Sequence, residues 1–299
     1  MSLFVALLLL QSAAVPAAAP PAPPTAPIGA KEAPLLHDTR GRPMMTVTIN
    51  DTGPFPMVVD TAAQTSLMAA GLAQELGLKA LAGGLGVRGA TGAERGRLYP
   101  VERMASPLFD ARHVAIVELP NSGVTDARGI IGMERFTGAR LLIDRSTNRI
   151  ALSPSGPAPA GFATVPGRRT GEGFVTVPIT LDGVRVPALV DTGAAVTIAN
   201  TAAFRLLGWA DTDTRLTDGG EIRGASARGQ AIRQARIGTL AIGRITLSNV
   251  PIMIGDDGAA TPSIILGNDL LNLFPGYAVD FPRGELQIKL PARRNATSG

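Results

Sequence analysis

Asp60 closes the apolar run in MVVDTAAQTS (residues 57–66), and Asp191 holds the equivalent place in ALVDTGAAVT (residues 188–197). A lone carboxylate at the end of a strand that should be buried has few polar neighbours to solvate it. A second acid in a matching frame gives it a partner. Two carboxylates held a few ångströms apart cannot both ionise freely, so they share a proton, and one serves as base while the other serves as acid. Their titration then belongs to the pair.

Other hydrolytic chemistries lack residues. The chain has no cysteine, which removes disulfides, thiolate nucleophiles and Cys-based metal sites. Its two histidines, His37 and His113, lie in no zinc-binding spacing and read as ordinary polar residues. With 299 residues, 45% of them hydrophobic, the chain can build one large domain or two smaller ones. A net charge of +4 without a basic block, and only 4% aromatic residues, argue against a nucleic-acid partner.

At the N-terminus, LFVALLLL (3–10) followed by small residues at Ser12/Ala14 or Ala17/Ala19 reads as a signal peptide, although no Lys or Arg precedes the apolar run. The run is too short to span a bilayer, so no stable membrane span is expected after processing. The expected location is the bacterial periplasm or the exterior, which an export signal without cysteines fits.

Stepping outward from the two acids, the chain repeats itself. Pro56 and Pro187 lie four residues before their Asp, and Gly77 and Gly208 lie seventeen after it. Between them, SLMAAGLAQELGL and IANTAAFRLLGW read as short helices with Thr65 or Ser66 and Asn200 as N-caps and the glycines closing them. GVRGATG (86–92) echoes EIRGASA (221–227), and GIIGMERF (129–136) echoes SIILGNDLLNLF (263–274). FVTVPITL (174–181) and TVTI (46–49) alternate with period two, as half-buried strands do. ARLLIDRSTNRIAL and GYAVDFPRGELQIKL close the halves as hairpin-like strand pairs, whose Asp144 and Asp280 read as turn caps rather than as further catalytic acids. Each half is thus an antiparallel β unit with one or two short helices.

The repeated Asp-Thr turn after apolar residues, with Ile131-Gly132-Met133 and Leu266-Gly267-Asn268 in register downstream, resembles the retropepsin-like aspartic protease family. The tandem resembles a single-chain, pepsin-like pseudo-dimer over residues 42–292. The resemblance implies an all-β, two-lobed acid-protease fold made by internal duplication. Its expected organisation is a signal peptide over 1–19, a Pro/Ala-rich linker over 20–40, a first lobe over 41–153, an interlobe linker over 154–172, a second lobe over 173–292 and a tail over 293–299. It implies a monomeric endopeptidase without metal or cofactor, in which Asp60 and Asp191 activate water on a peptide or protein substrate. It also implies that Thr61 and Thr192 bond across the lobes, that the N–H groups of Ala62 and Gly193 face the carboxylates, and that both downstream Gly elements pack beneath the dyad loops.

Two departures qualify the pattern. Ala62 stands where the motif has glycine, which keeps open the alternative of a catalytically weak or inactive peptide-binding protein. Ala63 and Ala194 stand where many relatives carry a hydroxyl that lowers the carboxylate pKa, so the optimum is expected at about pH 5–7. Arg88, Gly89 and Ala90, with Arg223, Gly224 and Ala225, read as flap hairpins over substrate. Asp51-Thr52-Gly53 is a turn, and Gly84–Gly89 spells GxGxxG without the helix that a dinucleotide site requires.

Overall fold

The computed structural model describes residues 30–89, 92–118, 126–223, 229–256 and 258–291. The expected signal peptide, residues 20–29 of the N-terminal linker and the tail from residue 293 lie outside them. Strands of the first half are β1 (Lys31–Pro34), β2 (Leu36–His37), β3 (Pro43–Ile49), β4 (Thr52–Val59), β5 (Leu67–Met68), β6 (Leu85–Gly89), β7 (Gly92–Ala105), β8 (Asp110–Glu118), β9 (Gly129–Ile131), β10 (Arg140–Asp144) and β11 (Arg149–Ser153). The second half adds β12 (Phe162–Pro166), β13 (Arg168–Arg169), β14 (Val175–Leu181), β15 (Val184–Val190), β16 (Ile198–Asn200), β17 (Thr217–Arg223), β18 (Gly229–Ile242), β19 (Ile245–Gly255), β20 (Ile264–Leu266), β21 (Gly276–Asp280) and β22 (Glu285–Lys289). Three short α-helices accompany them among the described residues: α1 (Leu72–Glu75), α2 (Thr201–Leu206) and α3 (Asn268–Leu271).

The duplication expected from the sequence is visible in the topology. One eight-stranded sheet runs β2-β3-β4-β9-β5-β8-β7-β6, and its counterpart runs β13-β14-β15-β20-β16-β19-β18-β17. The additional pairings β3–β7 and β14–β18 close six strands of each sheet into a barrel. The barrels form because period-two patterning gives each strand an inner face: in β3, Met45, Val47 and Ile49 are buried while their neighbours are half exposed. The strands that carry the acids behave differently. β4 pairs in parallel with β9, and β15 in parallel with β20, each apolar on both faces as central parallel strands are.

A third sheet joins the halves. Its order is β1-β11-β10-β21-β22-β12, so the closing hairpin of each half lies edge to edge with the other, Leu141 opposite Val279 and Ile143 opposite Tyr277. One contiguous core runs through both lobes and this sheet.

Several local expectations change. Lys31–His37 and Phe162–Arg169 were expected to be linker, yet they hold β1, β2, β12 and β13. Proline-containing segments suit these places because β1 and β12 are edge strands, where a missing N–H need not interrupt a ladder. Ser66 and Thr65 cap no helix: Leu67 and Met68 join β5, and α1 starts later, behind Gly71 at φ 86. Asn200 does cap α2, its Oδ1 accepting the Ala203 N–H at 2.9 Å. Gly77 and Gly208 adopt the left-handed conformation just past α1 and α2, as helix-ending glycines do.

Because the third sheet draws strands from both halves, the lobes are expected to unfold together. Leu141→Ala, at a fully packed interlobe position, should cost about 2–5 kcal/mol. Calorimetry should show one transition that moves as a whole; a first-lobe transition shifting alone would contradict this.

Candidate active site

β4 and β15 run into the interlobe boundary and deliver Asp60 and Asp191 there. Each Asp N–H is held by the neighbouring parallel strand: Asp60 donates to the Ile131 carbonyl at 3.0 Å and Asp191 to the Leu266 carbonyl at 3.1 Å. The next residue of each copy locks the two lobes together. The Thr61 N–H donates to Thr192 Oγ1 at 3.0 Å, and the Thr192 N–H donates to Thr61 Oγ1 at 3.1 Å. Each hydroxyl in turn donates to a carbonyl of the opposite strand, Thr61 to Val190 at 2.7 Å and Thr192 to Val59 at 2.6 Å. Four hydrogen bonds related by the duplication therefore fix one loop against the other. All four are buried, so losing either hydroxyl would strand backbone groups away from water.

The loop N–H groups face the acids. Ala62 N–H donates to Asp60 Oδ1 at 2.8 Å, while Gly193 and Ala194 N–H both donate to Asp191 Oδ1, at 2.8 and 2.9 Å. The opposing oxygen of Asp191, Oδ2, is buried without a hydrogen-bond partner. Asp191 has no exposed surface, whereas Asp60 keeps 7%, so the pair faces a nearly dry space.

Burial dominates the electrostatics. It pushes the Asp60 carboxyl up to about 6, against the lowering effect of the Ala62 N–H and the Arg42 guanidinium. Asp191 is raised well above the usual carboxylate range, first by burial and then by the negative charge of Asp60. This is the signature of two acids that hold one proton between them.

The two copies differ at the third motif position. At Gly193 an added Cβ would overlap the Asp60 carboxylate, so glycine is needed there to admit the acid of the other lobe. Ala62 carries its methyl in the buried core at an ordinary backbone conformation, outside the positive-φ residues, and its N–H still reaches Asp60. The departure that the sequence presented as a possible defect imposes no left-handed backbone.

Beneath each loop lies a repeated support that sequence reasoning only partly identified. Met133 N–H donates to the Ala63 carbonyl and Asn268 N–H to the Ala194 carbonyl, placing the downstream segments under the loops as expected. Gly267 allows this approach: a Cβ there would sit 2.5 Å from the Val196 carbonyl oxygen. Unanticipated are two partly buried hydroxyl–acid pairs, in which the hydroxyls are buried and the acids reach the surface: Ser66 Oγ with Glu134 Oε1 at 2.5 Å and Thr197 Oγ1 with Asp269 Oδ1 at 2.6 Å. Both hydroxyls also accept the N–H of the following support glycine, Gly132 or Gly267. Burial raises both acids. Their signal was present in the sequence as a hydroxyl residue and an acid at matching places in each copy. Asn268 adds a clamp that the first lobe lacks, its side-chain amide donating to the Thr192 and Ala194 carbonyls at 2.7 Å.

The other singled-out residues fall elsewhere. β6–β7 and β17–β18 are antiparallel hairpins, with Gly89 paired to Gly92 and Arg223 to Gly229. Ala90, Gly224 and Ala225 lie outside the described residues, as do the side chains of Arg88 and Arg223. Asp144 and Asp280 cap turns, accepting the N–H groups of Ser146 and Arg283. Asp51 stands in the β3–β4 turn at φ 60 and pairs with Arg103. Among the described residues, no group of three or more His, Asp or Glu side chains is placed to hold a metal ion.

A family model described as aspartyl protease matches the chain twice, over residues 45–135 and 177–270, once in each lobe. No curated protein matches it.

The raised carboxyls set a sign for stability. Between the unfolded value near 4 and the folded value near 6, the folded state holds a proton that the unfolded chain has released, so stability falls as pH rises through this window. Asp60→Asn should therefore raise the melting temperature at pH 7, by the equivalent of up to about 3 kcal/mol, and change it little at pH 4. A variant that melts below the parent at pH 7 would contradict the burial argument.

Proposed function

We propose that this chain, which belongs to the aspartyl protease family, is an exported endopeptidase in which Asp60 and Asp191 activate water against a peptide bond. The observation that carries the reading is the reciprocal Thr61–Thr192 lock, which holds two buried carboxyls, both raised by burial and Asp191 further by the charge of Asp60, at the lobe boundary. Both halves of the pair come from one chain, so a monomer suffices. The substrate class that fits is a peptide or protein.

The chemistry follows from one shared proton. The ionised carboxylate takes a proton from a water molecule, whose oxygen attacks the scissile carbonyl carbon, while the protonated carboxyl donates its proton to the carbonyl oxygen. The product of this step is a neutral gem-diol, and the charge on the pair has moved from one carboxyl to the other. In the second step a diol proton returns to the carboxylate and the amide nitrogen is protonated by its partner, the C–N bond breaks, and the pair regains its starting proton. No covalent bond to the protein forms. The apolar surroundings of the acids favour these transfers because bulk water is excluded and the fixed loop N–H groups act in a low dielectric. Glycines in β6–β7 and β17–β18 suit those hairpins to closing over a bound peptide.

Export rests on the LFVALLLL run and the small residues that follow it. Among the described residues no helix is long and apolar enough to cross a membrane.

The test is cleavage of a diverse peptide pool across about pH 3–8 by the parent and by Asp60→Asn and Asp191→Asn. Each single variant should lose at least about 10²–10⁴-fold in kcat/KM, and the parent should peak at about pH 5–7. Cleavage by either variant within tenfold of the parent, or an optimum below about pH 3, would overturn the proposal.

A further inference from the structure

Arg42 is a buried cation beside the acids, and nothing in the duplicated pattern accounts for it. Only 6% of its surface is exposed. Its Nε donates to Asp38 Oδ2 at 2.6 Å, while the N–H groups of Arg40 and Arg42 hold the other Asp38 oxygen at 3.0 and 2.7 Å. This tight loop belongs to the first lobe, yet it reaches the second. Arg42 Nη1 donates to the Gly193 carbonyl at 3.4 Å, and the Asn272 side chain, at the end of α3, donates to the Gly41 carbonyl at 2.8 Å.

The cation is asymmetric. The residue equivalent to Arg42 in the second copy is the buried Phe174: the Asp38 N–H donates to the Arg42 carbonyl as the Thr170 N–H donates to the Phe174 carbonyl, and the turn glycines Gly41 (φ 79) and Gly173 (φ 95) correspond. The acidic groups that face Arg42 are its partner Asp38, Asp126, whose Oδ2 accepts the Thr39 N–H at 3.2 Å, and the two dyad acids, while a second cation, Arg145, lies against the same loop, donating to the Asn272 carbonyl and acting on His37. Glu134 also acts on Asp60, with the opposite sign to Arg42. Arg42 favours the ionised form of both Asp60 and Asp191 and opposes what burial does to them.

We infer that Arg42 is a positioning residue of the dyad: from the first lobe it steadies the Gly193 loop of the second and sets one fixed positive charge beside the proton that Asp60 and Asp191 share. The inference rests on the proposed dyad. Being buried, Arg42 acts on the acids rather than on substrate. A guanidinium suits the role because its fork can bond Asp38 and the Gly193 carbonyl at once, which an ammonium cannot do with the same geometry.

The test uses Arg42→Met, Arg42→Gln and Arg42→Lys in the full chain, with melting curves to establish folding. In the Met and Gln variants both limbs of the pH profile of kcat/KM should move to higher pH by about one unit, so activity falls about tenfold on the acid side and is kept or gained near neutrality. KM should stay within about threefold. Lys should bring the limbs back toward the parent, since charge is retained, while kcat stays lower. The same upward shift should appear without turnover in the carboxyl ¹³C titration of Asp60 and Asp191. Unmoved limbs and titrations, with only kcat lowered, would make Arg42 merely structural and overturn the inference; unmoved limbs with a raised KM would make it a substrate contact and do the same. Failure of the dyad itself is read separately, from Asp60→Asn or Asp191→Asn variants that still cleave.

Discussion

Two carboxylates buried side by side are the constraint around which this molecule is built. Each loses its hydration on leaving water, and each raises the other's cost of ionising. The fold holds them in place all the same, through interactions that are mostly not with the acids themselves. Parallel strands fix the Asp N–H groups, threonine hydroxyls lock the loops crosswise, and N–H groups of the loops bind one oxygen of each acid. Loss of any one of these would leave a buried polar group without a partner.

That constraint also explains the third sheet. Two barrels touching only at a pair of loops could rock against each other, and the carboxyl separation would drift. Pairing β10 with β21 turns the boundary into a continuous ladder, and the shared core beneath it makes the halves one packed body. The duplication is then free to be imperfect. Asn268 clamps one loop while Met133 fills the equivalent place in the other, Gly193 makes room for an acid while Ala62 fills the core, and Arg42 has no twin. Such asymmetry suits a pair in which one member starts as base and the other as acid.

Much of this was legible in the sequence because duplication prints each important feature twice. The Asp-Thr turns, the downstream Ile/Leu-Gly segments and the closing hairpins were recognisable as pairs, and they mark the parts of the fold that carry the acids. Three kinds of feature were not legible. Segments rich in proline looked like linkers because composition does not reveal that an edge strand tolerates a missing N–H, as in β1 and β12. Ser66 looked like a helix cap because the acid that holds it, Glu134, is distant in sequence. Arg42 left no signal of its role, since its Asp38 partner is local but the Gly193 carbonyl is brought to it only by the folding of two lobes, and the second copy of the loop carries Phe174 in its place.

The most direct measurement of the central claim is the carboxyl ¹³C titration of Asp60 and Asp191, followed in the parent and in each single Asn variant. One shared proton predicts two well-separated steps in the parent, the upper at about 6 or above, with both residues responding to each step, and a single step for the remaining acid in either variant. Two independent steps near the ordinary value of about 4, unchanged when the other acid is replaced, would contradict it.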